Sequence, residues 1–112
     1  MEVRERQIRD VTIVELAGRL TVNDQPGLLK EVIDEAAKKG SRRIALDLSG
    51  VRYIDSTRLG ELIAAHITLS RQGGRLTLVA LPPRIAELID IAGLGSVFEQ
   101  LSTVEEAVSR QN

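Results

Sequence analysis

One stretch of the sequence decides the fold, IALDLSGVRYIDSTRLG at residues 44–60. Its first three residues are apolar, which predicts a strand over residues 43–48 that is buried on both faces, as in a sheet covered by helices. Residues 49–55 are predicted to form a loop. Asp55 and Ser56 are both good helix N-caps, so a helix is predicted from about Ser56 to Arg71. The stretch therefore indicates a strand, a loop and a helix in succession.

The residues nearest the N-terminus predict a β-hairpin. Residues 11–16 direct alternate side chains to opposite faces and are rich in β-branched residues, which is typical of a strand. An earlier strand over about residues 2–8 is predicted to pair with it. Gly18 then breaks the alternating pattern.

The other elements alternate between helix and strand. A helix before the stretch is predicted to begin at Asn23 or Asp24, with Pro26 in its first turn, and to end at Gly40. After the stretch, the predicted elements are a strand at 76–80, a helix at about 82–92, a short strand near 97–101 and a helix from Thr103. This order predicts an α/β fold in one domain over residues 1–112, with a mixed sheet of four to five strands and flanking helices.

Composition limits the classes of partner. The chain has 112 residues, no cysteine and a net charge of −1. A charge this small creates no long-range attraction to nucleic acid or to an anionic membrane. The first six residues carry charges of both signs, and no run approaches the roughly 20 apolar residues that span a bilayer. We therefore expect a cytoplasmic protein that binds neither nucleic acid nor membrane directly.

The sequence offers little for catalysis. It lacks the phosphate-binding motif G-x-x-x-x-G-K-[ST], the esterase motif G-x-S-x-G and the zinc motif H-E-x-x-H. His66 is the only histidine and lies at helical spacing from Leu59 and Leu62, which favours a packed histidine over a general base. One histidine without cysteine does not make a usual zinc site. We expect no enzyme activity, no catalytic residue, no metal and no cofactor.

Two polar features allow both a functional and a structural interpretation. The basic residues Lys38, Lys39, Arg42 and Arg43 suit a phosphate or nucleic-acid patch, but charge at a helix C-terminus explains them more simply. Ser56 at a helix start would accommodate a phosphate, since unpaired N–H groups and the positive end of the helix dipole lie there. From the residues alone, capping by Asp55 and Ser56 is the favoured interpretation, because most helices begin with such residues.

The motif at residues 46–57, LDLSGVRYIDST, resembles the signature of STAS domains, in which a strand of the type "vvlDlsgv" leads into "iDSSGlg". The resemblance covers nearly the whole chain in order. It also includes LAGRL at 16–20, GGRL at 73–76, IDIAGL at 89–94, Phe98 and TVEEA at 103–107. It implies the STAS fold.

Within this family, the resemblance to anti-sigma-factor antagonists implies a specific function. Ser56 matches the serine that is phosphorylated by a partner acting as both kinase and anti-sigma factor, and Thr57 is the alternative acceptor. The unmodified form would bind that partner, and a phosphatase would restore it. Asp55, Ser56, Thr57 and Arg58 are the implied partner-binding residues, and a weak homodimer is compatible with the sequence. The alternative is a constitutive STAS scaffold or subunit of a stress-signalling or lipid-transport assembly.

Arg58 departs from the family pattern, which has glycine at this position. We expect the arginine to present a cation to the partner, with an acidic patch as its complement. Glu61, three residues later, would partly offset its cost in the first helical turn. A tolerated surface substitution is the competing interpretation.

Overall fold

The computed structural model describes residues 2–21 and 28–109. The predicted helix start at Asn23 or Asp24 and Pro26 lies outside the described residues. In chain order the elements are β1 (Glu2–Ile8), β2 (Val11–Leu20), α1 (Leu28–Lys38), β3 (Arg43–Ile54), α2 (Ser56–Arg71), β4 (Arg75–Val79), α3 (Pro83–Ile91), β5 (Glu99–Leu101) and α4 (Val104–Ser109).

The strands form one five-stranded sheet in the order β1-β2-β3-β4-β5. β1 is antiparallel to β2, and each later pair is parallel, since a helix lies between successive strands along the chain. The mixed α/β sheet predicted from the sequence is confirmed. The carboxyl ends of β2, β3 and β4 therefore lie at the same edge of the sheet, and α2 begins there.

Helices cover the sheet on both faces. Ile44 and Leu46 of β3 belong to the cluster that α1, α2 and α3 complete, whereas Ala45 packs in a second cluster with Ala107 and Val108 of α4. All three β3 residues are nearly inaccessible, as the apolar run predicted. β3 is thus the central strand of the core, and its end fixes the position of α2.

The predicted loop at 49–55 is wrong, because β3 continues to Ile54 and only Asp55 separates it from α2. Gly18 breaks the alternation of β2 but not its pairing, since β2 pairs with β3 as far as Leu20 opposite Ile54. The extension is irregular, with register shifts on either side of residues 17–18. In β3, Gly50 lies so close to β2 that a Cβ added to this glycine would be 3.0 Å from the Cβ of Ala17. Residues 49–54 were not predicted as a strand because their exposed residues do not alternate with buried ones.

Candidate functional site

Asp55 joins the end of β3 to the start of α2. Its N–H donates to the carbonyl oxygen of Leu20 at 3.0 Å, which holds the junction against the end of β2. Its carboxylate Oδ1 accepts from the N–H of Arg58 at 2.9 Å, so Asp55 is the N-cap of α2. The predicted capping role of Asp55 is confirmed. The cap leaves Ser56 and Thr57 as the first two residues of the helix.

The side chains of Ser56 and Thr57 are both exposed. They lie in the first turn of α2, where backbone N–H groups lack acceptors within the helix and the dipole is positive. A phosphate on either hydroxyl would add negative charge at this positive end. The site can therefore be reached by a modifying enzyme and can accept the charge.

Arg58 is positioned differently from the sequence-based expectation. Its side chain is 0% exposed, so the prediction of a cation that faces a partner is wrong for this structure. Nη1 donates to both carboxylate oxygens of Glu61, at 3.0 and 2.9 Å, and Nε donates to the carbonyl oxygen of Thr21 at 3.1 Å. The predicted pairing with Glu61 is confirmed, and the arginine points inward because these two acceptors receive it.

His66 lies beside the core rather than in a catalytic arrangement. Its ring packs edge-on against Phe98, with the ring centroids 5.3 Å apart, and its buried Nδ1 has no hydrogen-bond partner among the described residues. The packed-histidine interpretation agrees with this geometry. Residues 2–21 and 28–109 also contain no group of three His, Cys, Asp or Glu side chains arranged to hold a metal ion.

Two of the four basic residues at 38–43, Arg42 and Arg43, make structural contacts. Arg42 Nη1 donates to the carbonyl oxygens of Ala37 and Ser41, both at 3.2 Å, at the C-terminal end of α1. Arg43 pairs with Asp10 at 3.0 Å and donates to the carbonyl oxygen of Ala107 at 2.8 Å. These contacts support the simpler interpretation, in which the cations stabilise helix ends and the packing of α4.

Three further exposed residues lie near the start of α2, and the sequence pattern gave none of them a role in partner binding. Arg19 lies opposite Tyr53 in the β2–β3 ladder, with its guanidinium carbon 4.9 Å from the ring centroid. Gly60 lies one turn beyond Ser56, and an added Cβ would meet nothing within 4 Å. The sequence placed Arg19 at a strand end and Tyr53 in a loop, so their pairing was not expected. The surroundings of Gly60 were not predictable, because a glycine within a helix does not indicate what lies beside it.

The model of the STAS domain family matches residues 2–107. The chain belongs to the STAS domain family. Two relatives are called "Anti-sigma-B factor antagonist". The one from Bacillus subtilis is 34% identical over 86 residues, which is 77% of this chain and 77% of the relative. The one from Listeria monocytogenes is 30% identical over 112 residues, covering 100% of this chain and 96% of the relative.

Solved structures of other proteins share this fold. The crystal structure of protein TM1081 from Thermotoga maritima is 28% identical, with a TM-score of 0.86 over 95% of this chain and 91% of that one. The anti-sigma factor antagonist SpoIIAA in its unphosphorylated form is 22% identical, with a TM-score of 0.82 over 97% of this chain and 95% of that one, which shows a shared fold. Among the described residues of this STAS protein, no helix is both long and apolar enough to cross a membrane.

Proposed function

We propose that this STAS protein is an anti-sigma factor antagonist that is switched by phosphorylation of Ser56. Unmodified, it binds an anti-sigma factor and thereby frees a sigma factor for transcription. The same partner acts as a serine kinase on Ser56, and a phosphatase reverses the modification. On this proposal residues 1–112 are one non-enzymatic, cytoplasmic binding domain that needs no cofactor and contacts no nucleic acid.

The observation that carries the proposal is the exposed hydroxyl of Ser56 in the first turn of a capped helix. A kinase needs access to the hydroxyl, and the helix start tolerates the added phosphate. The relatives from Bacillus subtilis and Listeria monocytogenes, each at least 30% identical, bear the name anti-sigma-B factor antagonist, and the fold relative SpoIIAA has been solved in a phosphorylated form. Thr57, also exposed, is the alternative acceptor.

Phosphorylation of Ser56 would weaken partner binding by adding negative charge to the surface that the partner covers. A phosphate adds about −1.5 to −2 charges. Asp55, which is half-buried beside Ser56, already contributes a carboxylate at this position. When a partner without a matching cation covers the site, these negative groups lose water and gain no opposite charge. We expect this to cost about 3 kcal/mol, or roughly a hundredfold in affinity.

The test compares the affinity of the cognate anti-sigma factor for Ser56→Ala and Ser56→Glu. We expect Ser56→Ala to bind like the unmodified protein and Ser56→Glu to bind about a hundredfold more weakly. Ser70→Glu is the matched control, since Ser70 is also exposed on α2 but lies about 21 Å further along the helix. Equal affinities for the two Ser56 variants would instead favour a constitutive scaffold in a stress-signalling or lipid-transport assembly.

The choice between Ser56 and Thr57 needs a separate measurement. Incubation with ATP and the partner kinase, followed by mass spectrometry, should place the phosphate on Ser56. Thr57→Ala should still gain the phosphate, whereas Ser56→Ala should not. A phosphate retained in Ser56→Ala and lost in Thr57→Ala would move the switch by one residue.

A further inference from the structure

Arg58 is the largest side chain that the fold buries completely, and it is charged. It connects three parts of the structure: its N–H reaches the Asp55 cap, its Nη1 holds Glu61 one turn later, and its Nε reaches the carbonyl oxygen of Thr21 just beyond β2. The last contact spans 37 positions in the sequence. Arg58 is thus a direct hydrogen-bonded link between the start of α2 and the end of β2.

Stability alone does not account for this link. Burial removes the guanidinium of Arg58 from water and leaves the Glu61 side chain only 18% exposed, and well-packed apolar residues of similar size often stabilise a fold at least as well as such a pair. Hydrogen bonds have a preferred geometry and therefore fix the orientation of two elements, whereas dispersion contacts between apolar side chains do not. Because Nη1 bonds both oxygens of Glu61 and Nε bonds the carbonyl oxygen of Thr21, the planar guanidinium constrains position more than it adds to the free energy of folding.

We propose that Arg58 is a positioning residue that holds the first turn of α2 against the end of β2, so that Ser56 and Thr57 are presented in one fixed orientation. The effect of this orientation on partner binding rests on the proposed function, whereas the positioning itself rests on the contacts of Arg58. Two further bonds lie in the same region, from Asp55 N–H to Leu20 and from Leu59 N–H to Asp55. To these bonds and to the Asp55 cap, the arginine side chain adds a contact that reaches from α2 to the carbonyl oxygen of Thr21.

The test replaces the buried arginine and its partly exposed partner by apolar residues in Arg58→Met/Glu61→Leu. The matched control is Lys30→Met/Asp34→Leu, which removes an exposed ion pair of 2.7 Å from α1. Two quantities are measured in the full-length protein: hydrogen exchange of the amides at positions 55, 58 and 59, and affinity for the anti-sigma factor. We expect the first double variant to remain folded, with exchange at these amides faster by about tenfold and affinity weaker by about tenfold, and the control to change neither.

Unchanged exchange and unchanged affinity in a folded Arg58→Met/Glu61→Leu would overturn the inference. If that variant does not fold, Arg58→Lys replaces it, because lysine keeps the charge but cannot make the forked contact with Glu61 and Thr21 together. The same exchange and affinity changes are expected there, and their absence would count equally against the inference. A wild-type protein that binds no anti-sigma factor would refute the proposed function, while the exchange data would still decide the role of Arg58.

Discussion

Asp55 makes contacts with both its backbone and its side chain at the start of α2. Its N–H bonds to Leu20, and its carboxylate caps the N–H of Arg58. We expect Asp55→Ala to lower the free energy of unfolding by about 1 kcal/mol, since the capping acceptor is lost. Asp55→Asn should lose much less, because asparagine caps nearly as well as aspartate. Urea unfolding measures both, and equal losses would show that the charge matters rather than the cap.

Arg58 shows how far the sequence can be interpreted at the scale of one residue. The i,i+3 spacing predicted the pairing with Glu61, and that contact is confirmed. The burial was not predicted, because a cation in the first turn of a helix is ordinarily exposed. The second acceptor, the carbonyl oxygen of Thr21, comes from a distant part of the chain and has no signal in the local sequence. Capping by Asp55 was predictable since it depends on neighbours in sequence alone.

At the scale of the element, α2 combines a buried face with a start that is exposed to solvent. Gly60 lies in its interior, on the exposed side, where an added methyl group would meet nothing within 4 Å. Glycine therefore lowers helix stability here without serving the packing of the described residues. On the proposed function, it leaves room for a partner to approach the helix closely beside Ser56.

Gly60→Ala should consequently stabilise the protein by about 0.5–1 kcal/mol and weaken partner binding. The control is Thr68→Ala, an exposed position about 18 Å from Ser56 along the same helix, which should also add stability but leave binding unchanged. Thermal melts and affinity measurements on the same preparations separate the two effects. A destabilised Gly60→Ala would mean that the fold itself requires the glycine.

The strands show which parts of an element the sequence can predict. The buried half of β3 was predictable because consecutive apolar residues at 44–46 indicate burial on both faces. The half from Ser49 to Ile54 was not, since its exposed residues Arg52 and Tyr53 break the alternation of a half-buried strand. Its partner, the end of β2, passes through Gly18 with a positive φ of 95°. Pairing between two irregular segments is set by tertiary contacts, which a local pattern does not contain.

At the scale of the whole molecule, the exposed switch region and the core are separate. The core lies in the centre of the sheet, where Leu46 of the middle strand is fully buried between neighbouring strands and beneath the helices. Ser56 lies at the carboxyl edge and is exposed. The alternation of strands and helices was enough to predict this layered arrangement. The edge, where strand ends and helix starts meet, was predicted less well.

This separation predicts that the switch changes binding without unfolding the domain. Ser56→Glu places an acidic group in the first turn of α2, where the helix dipole favours it, so the free energy of unfolding should change by less than about 1 kcal/mol. Leu46→Ala or Ile44→Ala should cost about 2–5 kcal/mol, because each leaves a cavity in a packed core. Thermal and chemical unfolding of the three variants beside Ser56→Ala would measure the contrast. If Ser56→Glu were destabilised as strongly as Leu46→Ala, its weaker partner binding would reflect misfolding, and the negative charge would no longer be needed to explain it.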